Sequence, residues 1–169
     1  MRLGFLTPIF LCALVSASAF GAPLDGKGPA YFVDRYGSAK STRTISSAGF
    51  LHMRNGYVDV HGQFSEREYR KGDLTVHAIF FLPSLDLAAV RLNLAHQWTS
   101  EQLNAALAAY GGDWRGERRP ADILVWTAPD GSQAINLLLT LEIQSKATVD
   151  LVEKTLADRQ AKKDAIPKF

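Results

Sequence analysis

A stretch of alternating apolar and polar residues, centred on an Asn-Gly pair, constrains the fold of this chain more than any other feature. It covers residues 49–64, and Asn55 and Gly56 suit the two central positions of a tight β-turn, both of which need positive φ. With that turn the apolar side chains share one face of a hairpin, whereas a slip of one residue would mix them with polar ones. The pattern therefore predicts an antiparallel hairpin in which His52 lies directly opposite Asp59.

Two further pairs of stretches have the composition of β-strands. Residues 74–82 and 87–95 flank a Pro-Ser-Leu-Asp turn and predict a second hairpin with one buried side. Residues 122–128 and 132–145 flank a Pro-Asp-Gly turn. Apolar residues recur at every second position of the last stretch, which indicates one long, half-buried strand.

Three segments have helical signals. Thr99 and Gln102 have the spacing of a capping box, and Gly111 ends the apolar periodicity that follows them. Residues 29–37 predict a short helix, and residues 146–160 begin as an amphipathic one. Helices that are separate from antiparallel hairpins predict an α+β fold, namely an antiparallel sheet of about 5–6 strands with two or three helices packed on one face.

The first 19 residues have the features of a secretory signal peptide. Arg2 provides a positive charge, an apolar stretch follows, and residues 17–19 are small, as signal peptidases require. We predict cleavage after Ala19, with Ala22 as the alternative site. Export through such a signal predicts a periplasmic or secreted protein.

Two rival interpretations of the amino terminus compete with cleavage. A transmembrane anchor would need an apolar run of ~20 residues, whereas Pro8 interrupts a shorter one. A lipid anchor on Cys12 would need small residues directly before the cysteine, where Leu11 stands. We therefore predict no transmembrane anchor after cleavage. The predicted organisation is a signal peptide at 1–19, a flexible segment at 20–28, a single α+β domain at 29–160 and a basic tail at 161–169.

The composition of the mature chain excludes several classes of function. Its one cysteine, Cys12, lies in the predicted signal, so disulfides, thiolate metal ligands and cysteine nucleophiles are excluded. The chain has 19 Lys and Arg against 17 Asp and Glu, and loss of Arg2 leaves 18 against 17, a net charge of +1. A nearly neutral chain is not expected to bind nucleic acid. The sequence has no phosphate-binding glycine loop, serine elbow or His-Glu-x-x-His motif, and we predict no cofactor.

Three segments, residues 69–94, 98–114 and 125–143, together resemble a family of short exported bacterial α+β proteins that has no assigned function. The shared pattern is a tyrosine near a glycine turn, an apolar hairpin, a capped helix, a tryptophan after a glycine turn and a Trp-Asp-Gly-Ala hairpin. The matching positions are Tyr69, Gly72, Phe80, Thr99, Gln102, Gly112, Trp114, Trp126, Asp130, Gly131 and Ala134. The order of elements is also similar to that of small lipoproteins of outer-membrane assembly, whose lipidated cysteine is missing here. The resemblance implies export and the fold, and it carries over no catalytic residue.

The polar face of the first hairpin is one candidate for chemistry. His52 and Asp59 are predicted to touch across the strands, and His61 shares their face. Asp59 would favour the charged imidazole of His52. Such a group could bind zinc or act as an acid and a base. An exposed antiparallel strand also alternates polar residues outward, and we predict this ordinary solvated face.

Residues 111–134 are a second candidate, because tryptophans and charged residues are concentrated there. The residues predicted to contact a partner are Trp114, Arg115, Arg118 and Arg119. Three basic residues are balanced by three acidic ones over residues 113–122, so the excess positive charge of a phosphate-binding stripe is missing. Tryptophan and arginine are favoured at protein interfaces. The pattern predicts a charged loop that leads into a hairpin, with partner contact as the alternative.

These observations favour an exported, non-enzymatic module that binds an envelope or secreted protein or has a structural role. One alternative is a small metal-dependent or hydrolytic enzyme that uses His52, Asp59 and His61. Another is a domain that binds cell-wall material or polysaccharide through Trp114. The sequence leaves the partner and the oligomeric state open.

Overall fold

The computed structural model describes residues 24–111, 113–118 and 123–165. They form three helices and eight strands: α1 (Pro29–Tyr36), β1 (Ser41–His52), β2 (Gly56–Lys71), β3 (Leu74–Phe81), β4 (Leu87–Asn93), α2 (Ser100–Tyr110), β5 (Arg115–Arg118), β6 (Leu124–Thr127), β7 (Gln133–Leu137), β8 (Thr140–Gln144) and α3 (Lys146–Asp164). The strands make one antiparallel sheet in the order β1-β2-β3-β4-β8-β7-β6-β5. The predicted α+β class is confirmed.

The sheet has eight strands instead of the predicted 5–6. One additional strand is β5, which the sequence predicted as a charged loop. The other arises because residues 132–145 are two strands that turn at Leu138 and Leu139. Leu138 has a φ of 54°, a conformation that leucine rarely adopts. The sequence has no turn residue at this point and the alternation continues through it, so the break was missed.

The register of the first hairpin also differs from the prediction. His52 lies opposite Gly56, and Asp59 lies opposite Gly49. The connection has three residues, 53–55, and Gly56 follows at a φ of 65°. An Asn-Gly pair suits this longer connection as well, since glycine takes the left-handed position after the turn.

The two faces of the sheet carry different helices. Helices α1 and α2 cover one face, where Phe32, Leu103 and Leu107 join the apolar strand residues in one cluster. Helix α3 packs on the opposite face, through Val152 and a second apolar cluster. The prediction that all helices lie on one face was therefore wrong. Strands β3 and β4 bury side chains on both faces, so the sheet needs a cover on each.

Local signals define the helix ends. The Thr99 side chain accepts a hydrogen bond from the Gln102 backbone N–H at 3.2 Å, and the Gln102 side chain accepts one from Thr99 at 3.0 Å. This confirms the capping box. Helix α3 runs to Asp164 and so includes residues 161–164, which were assigned to a basic tail. Among the described residues no helix is both long and apolar enough to cross a bilayer.

The tip of the β1–β2 hairpin folds back onto the sheet. Leu51 packs against Val125 and Ile135, which belong to strands at the far side of the sheet. The backbone N–H of Leu51 donates to Glu142 Oε1 at 2.7 Å, and its carbonyl accepts from Gln144 Nε2 at 2.6 Å. Both polar side chains are buried. A buried polar network therefore holds this hairpin in place.

Candidate binding groove at the end of the sheet

An open groove of about 370 Å³ lies between α2 and strands β6 and β5, which end the strand order of the sheet. Its lining combines two indoles with charged and polar side chains: Asn104, Leu107, Ala108, Asp113, Trp114, Arg115 and Trp126. Two of the four predicted partner-binding residues, Trp114 and Arg115, are in this set. The groove thus contains half of the predicted partner-binding residues.

Each indole has a fixed position in the groove. Trp114 Nε1 donates a hydrogen bond to the Leu107 carbonyl of α2 at 3.1 Å. Trp126 lies across Gly116 of the neighbouring strand, so close that a Cβ on Gly116 would sit 2.5 Å from Trp126 Nε1. Only glycine leaves room for this contact. Both indoles pack partly on the apolar core and remain partly exposed at the groove.

The polar groups of the groove are available for a ligand. Asn104, Asp113 and Arg115 are exposed. None of these three side chains forms a hydrogen bond or ion pair with the rest of the described chain. The groove therefore offers a carboxylate, a guanidinium and an amide around two aromatic surfaces. This arrangement suits recognition by hydrogen bonding and stacking.

Of the other two predicted partner-binding residues, Arg118 is not among the described lining residues. Arg118 is exposed at the end of β5. Arg119 lies outside the described residues. Sequence reasoning in turn missed Asn104, Asp113 and Trp126, since Trp126 reads as an ordinary residue of a sheet face. A glycine at the position facing it, Gly116, is a signal that could have identified it.

The predicted group of His52, Asp59 and His61 is not assembled. His52 shares a strand face with Phe50, which is buried against α3, and its Nε2 lies 3.2 Å from Glu153 Oε1. Asp59 and His61 are exposed and belong to the opposite face, because Asp59 pairs with Gly49 rather than with His52. The prediction that His52 lies opposite Asp59 was wrong. The described residues contain no group of three potential metal ligands.

A different carboxylate–histidine pair lies on β2 and β3. Glu66 Oε1 lies 3.2 Å from His77 Nδ1, and Glu66 Oε2 accepts from Arg43 at 2.6 Å. The hydrogen bond to His77 and the Arg43 guanidinium lower the pKa of Glu66 to about 2, against the opposing effect of burial. A general acid needs a raised pKa, so Glu66 is unsuited to that role at neutral pH. The pair joins neighbouring strands.

A larger cleft of about 690 Å³ lies between the start of α1, the β3–β4 connection and the start of α3. Several of its polar groups are engaged with neighbours. Asp130 accepts from the Ser132 hydroxyl at 2.7 Å, and Lys146 pairs with Asp150 at 2.6 Å. Burial lowers the pKa of Lys27, although Asp25 opposes this shift. The cleft is the larger of the two cavities, but its described lining has no tryptophan, whereas the groove has two.

The groove contains the chemistry of a binding surface. Its indoles supply contact area at a small entropy cost. Its three polar side chains that have no hydrogen bond within the described chain can orient a ligand through hydrogen bonds. It has no assembled acid, base and nucleophile among the residues that line it. Comparisons of this chain with models of protein families, with curated proteins and with solved structures found no match.

Proposed function

We propose that this protein is an exported module that binds an envelope or secreted protein through the groove formed by α2, β5 and β6. The observation that carries the proposal is the arrangement of Trp114 and Trp126 around Asp113 and Arg115, two charged groups without an ion-pair partner in the described chain. Tryptophan and arginine are enriched among residues that dominate protein interfaces. A signal peptide at residues 1–19 would deliver the module to the envelope.

The groove is prepared for binding before a partner arrives. Trp114 is held by its hydrogen bond to Leu107, and Trp126 is held against Gly116. Side chains that are fixed in advance lose little conformational entropy on association. A volume of about 370 Å³ accommodates a few side chains, so the expected partner inserts a protruding segment.

Polysaccharide binding is the second candidate, and the same groove favours it. Sugars present an apolar ring face together with hydroxyls that both donate and accept hydrogen bonds. Two indoles next to Asp113, Arg115 and Asn104 would match both properties. An enzyme that uses His52 and Asp59 has less support, since the two side chains lie on opposite strand faces.

Photo-cross-linking in the native envelope distinguishes these candidates. A photoreactive residue is placed at Asn104, on the groove, and as a matched control at Ala157, which is exposed on the distant helix α3. We expect one discrete protein adduct from position 104 and none from position 157. The adduct should decrease at least several-fold when Asp113→Ala and Arg115→Ala are added.

Each other result of this experiment has a definite meaning. A polydisperse adduct that polysaccharide-degrading enzymes remove would favour the second candidate over the first. Equal adducts from both positions, or none from either, would overturn the groove as the binding site.

A further inference from the structure

The two outer strands of the sheet differ in how their edges are protected. Strand β5 has four residues, three of them charged, which is a common defence against unwanted strand pairing. Strand β1 has twelve residues, and its first seven, residues 41–47, include Arg43 as their one charged residue. All seven are exposed except the half-buried Ile45. Within the described chain β2 is the only strand that pairs with β1.

The single charge on this part of β1 does not act as a defence. Arg43 is already bound to Glu66, at 2.6 Å. Thr42, Thr44 and Ile45 favour the extended conformation, and no proline interrupts it. The one irregularity, a register shift between Ile45 and Ser47, leaves residues 41–45 in continuous pairing with β2. The outer edge of β1 is thus an ordered template for another strand.

We propose that β1 pairs antiparallel with β1 of a second copy of this chain, across a twofold axis at Thr44. The exposed part of β1, residues 41–47, is centred on this residue. A twofold axis at Arg43 would instead place two guanidinium groups opposite each other. With the axis at Thr44, threonine faces threonine, a favourable cross-strand pair, and Arg43 faces Ile45 of the second copy.

The nature of the edge favours a second copy over a foreign strand. A twofold contact uses the same surface twice, and the short, nearly uncharged strand around Thr44 is complementary to itself. One strand pair buries less than the roughly 1,200 Å² of a standard stable interface. The association is therefore expected to depend on concentration.

Sedimentation equilibrium of the purified, processed protein tests this contact over a series of concentrations. We expect the mass to rise from one chain towards two as the concentration increases. Thr44→Lys should abolish the rise, because two lysines would face each other across the axis. Thr127→Lys is the matched control, since Thr127 is also an exposed strand threonine but lies in β6, and it should associate like the parent.

Cysteine substitution tests the position of the axis. The processed chain has no other cysteine, so Thr44→Cys should give a disulfide-linked dimer under mild oxidation, because facing Cα atoms in a sheet lie within disulfide range. Thr42→Cys should not form this disulfide, because position 42 would face Ser46 of the second copy.

The proposal is overturned if the parent protein has the mass of one chain at every concentration. It is also overturned if the Thr44→Lys variant associates as the parent does. A disulfide-linked dimer from Thr42→Cys, without one from Thr44→Cys, would also overturn the proposal. The groove lies at the other end of the sheet, so its cross-linking experiment succeeds or fails independently.

Discussion

The tip of the β1–β2 hairpin and the β5 strand are anchored to the rest of the sheet in contrasting ways. The hairpin tip is held by the buried side chains of Glu142 and Gln144, which bond the backbone of Leu51. The β5 strand is held by the close contact of Gly116 with Trp126, and its side chains are exposed. A buried network needs every member, whereas the exposed side chain of Arg115 at the start of β5 forms no hydrogen bond or ion pair within the described chain. The proposed binding group Arg115 therefore lies where its replacement is expected to cost little stability.

The largest expected effect comes from breaking the network at the hairpin tip. Glu142 is fully buried and accepts hydrogen bonds from Leu51 N–H at 2.7 Å and from Arg91 Nε at 2.8 Å. Glu142→Ala leaves Arg91 without its carboxylate partner and this N–H without an acceptor, which should lower the free energy of unfolding by about 3–5 kcal/mol. Urea unfolding measures the change. The control Glu153→Ala removes an exposed carboxylate near His52 and should cost about 1 kcal/mol or less. Equal decreases in the free energy of unfolding of Glu142→Ala and Glu153→Ala would show that the buried network does not anchor the hairpin tip more strongly than an exposed contact.

A smaller effect is expected from disturbing the β5 anchor. In Gly116→Ala the new methyl group would lie 2.5 Å from Trp126 Nε1, so the indole has to move. We expect a loss of about 1–3 kcal/mol in the free energy of unfolding, together with a change in tryptophan fluorescence. Gly28→Ala is the matched control, because no atom lies within 4 Å of its Cβ position and its φ is −70°. If both variants behave alike, the close contact does not anchor β5.

A pH titration probes a third contact, the ion pair that ties β1 to β2. The folded pKa of Glu66 is about 2, below its ordinary value of 4.5, because His77 and Arg43 favour the carboxylate. A lowered pKa contributes stability above the ordinary value and loses it as the pH falls towards about 2. Because Arg43 is largely exposed, we expect a loss of only about 1–2 kcal/mol over this interval. Glu66→Gln should remove this part of the acid dependence. An unchanged pH profile in the variant would show that Glu66 contributes nothing to it.

The smallest effect is expected at the groove itself. Arg115→Ala removes an exposed side chain with no hydrogen bond or ion pair in the described chain. The free energy of unfolding should change by less than about 0.5 kcal/mol, while the adduct formed from position 104 decreases. A clearly destabilised Arg115→Ala variant would remove the distinction between the anchored hairpin tip and the free groove surface.

Part of the candidate site could be predicted, and the rest depended on distant contacts. Trp114 and Arg115 were found because aromatic and charged residues cluster in one short segment. Asn104 is on α2 and Trp126 is on β6, and the groove joins them only because α2 packs beside the end of the sheet. The His52 prediction failed for a related reason. An Asn-Gly pair suits both a two-residue and a three-residue connection. The three-residue connection is the one observed, and with it Phe50 and Val58 are buried together against α3.

The sequence by itself determined the features that depend on neighbouring residues. Thr99, Gln102 and Gly111 define the ends of α2, because capping bonds form within a few residues of each other. The tertiary structure decided the number of strands and the register of the first hairpin. It also placed α3 on the face of the sheet opposite α1 and α2. These features follow from which apolar surfaces are buried together and which polar groups need partners, as at Glu142, and such contacts join residues far apart in the chain.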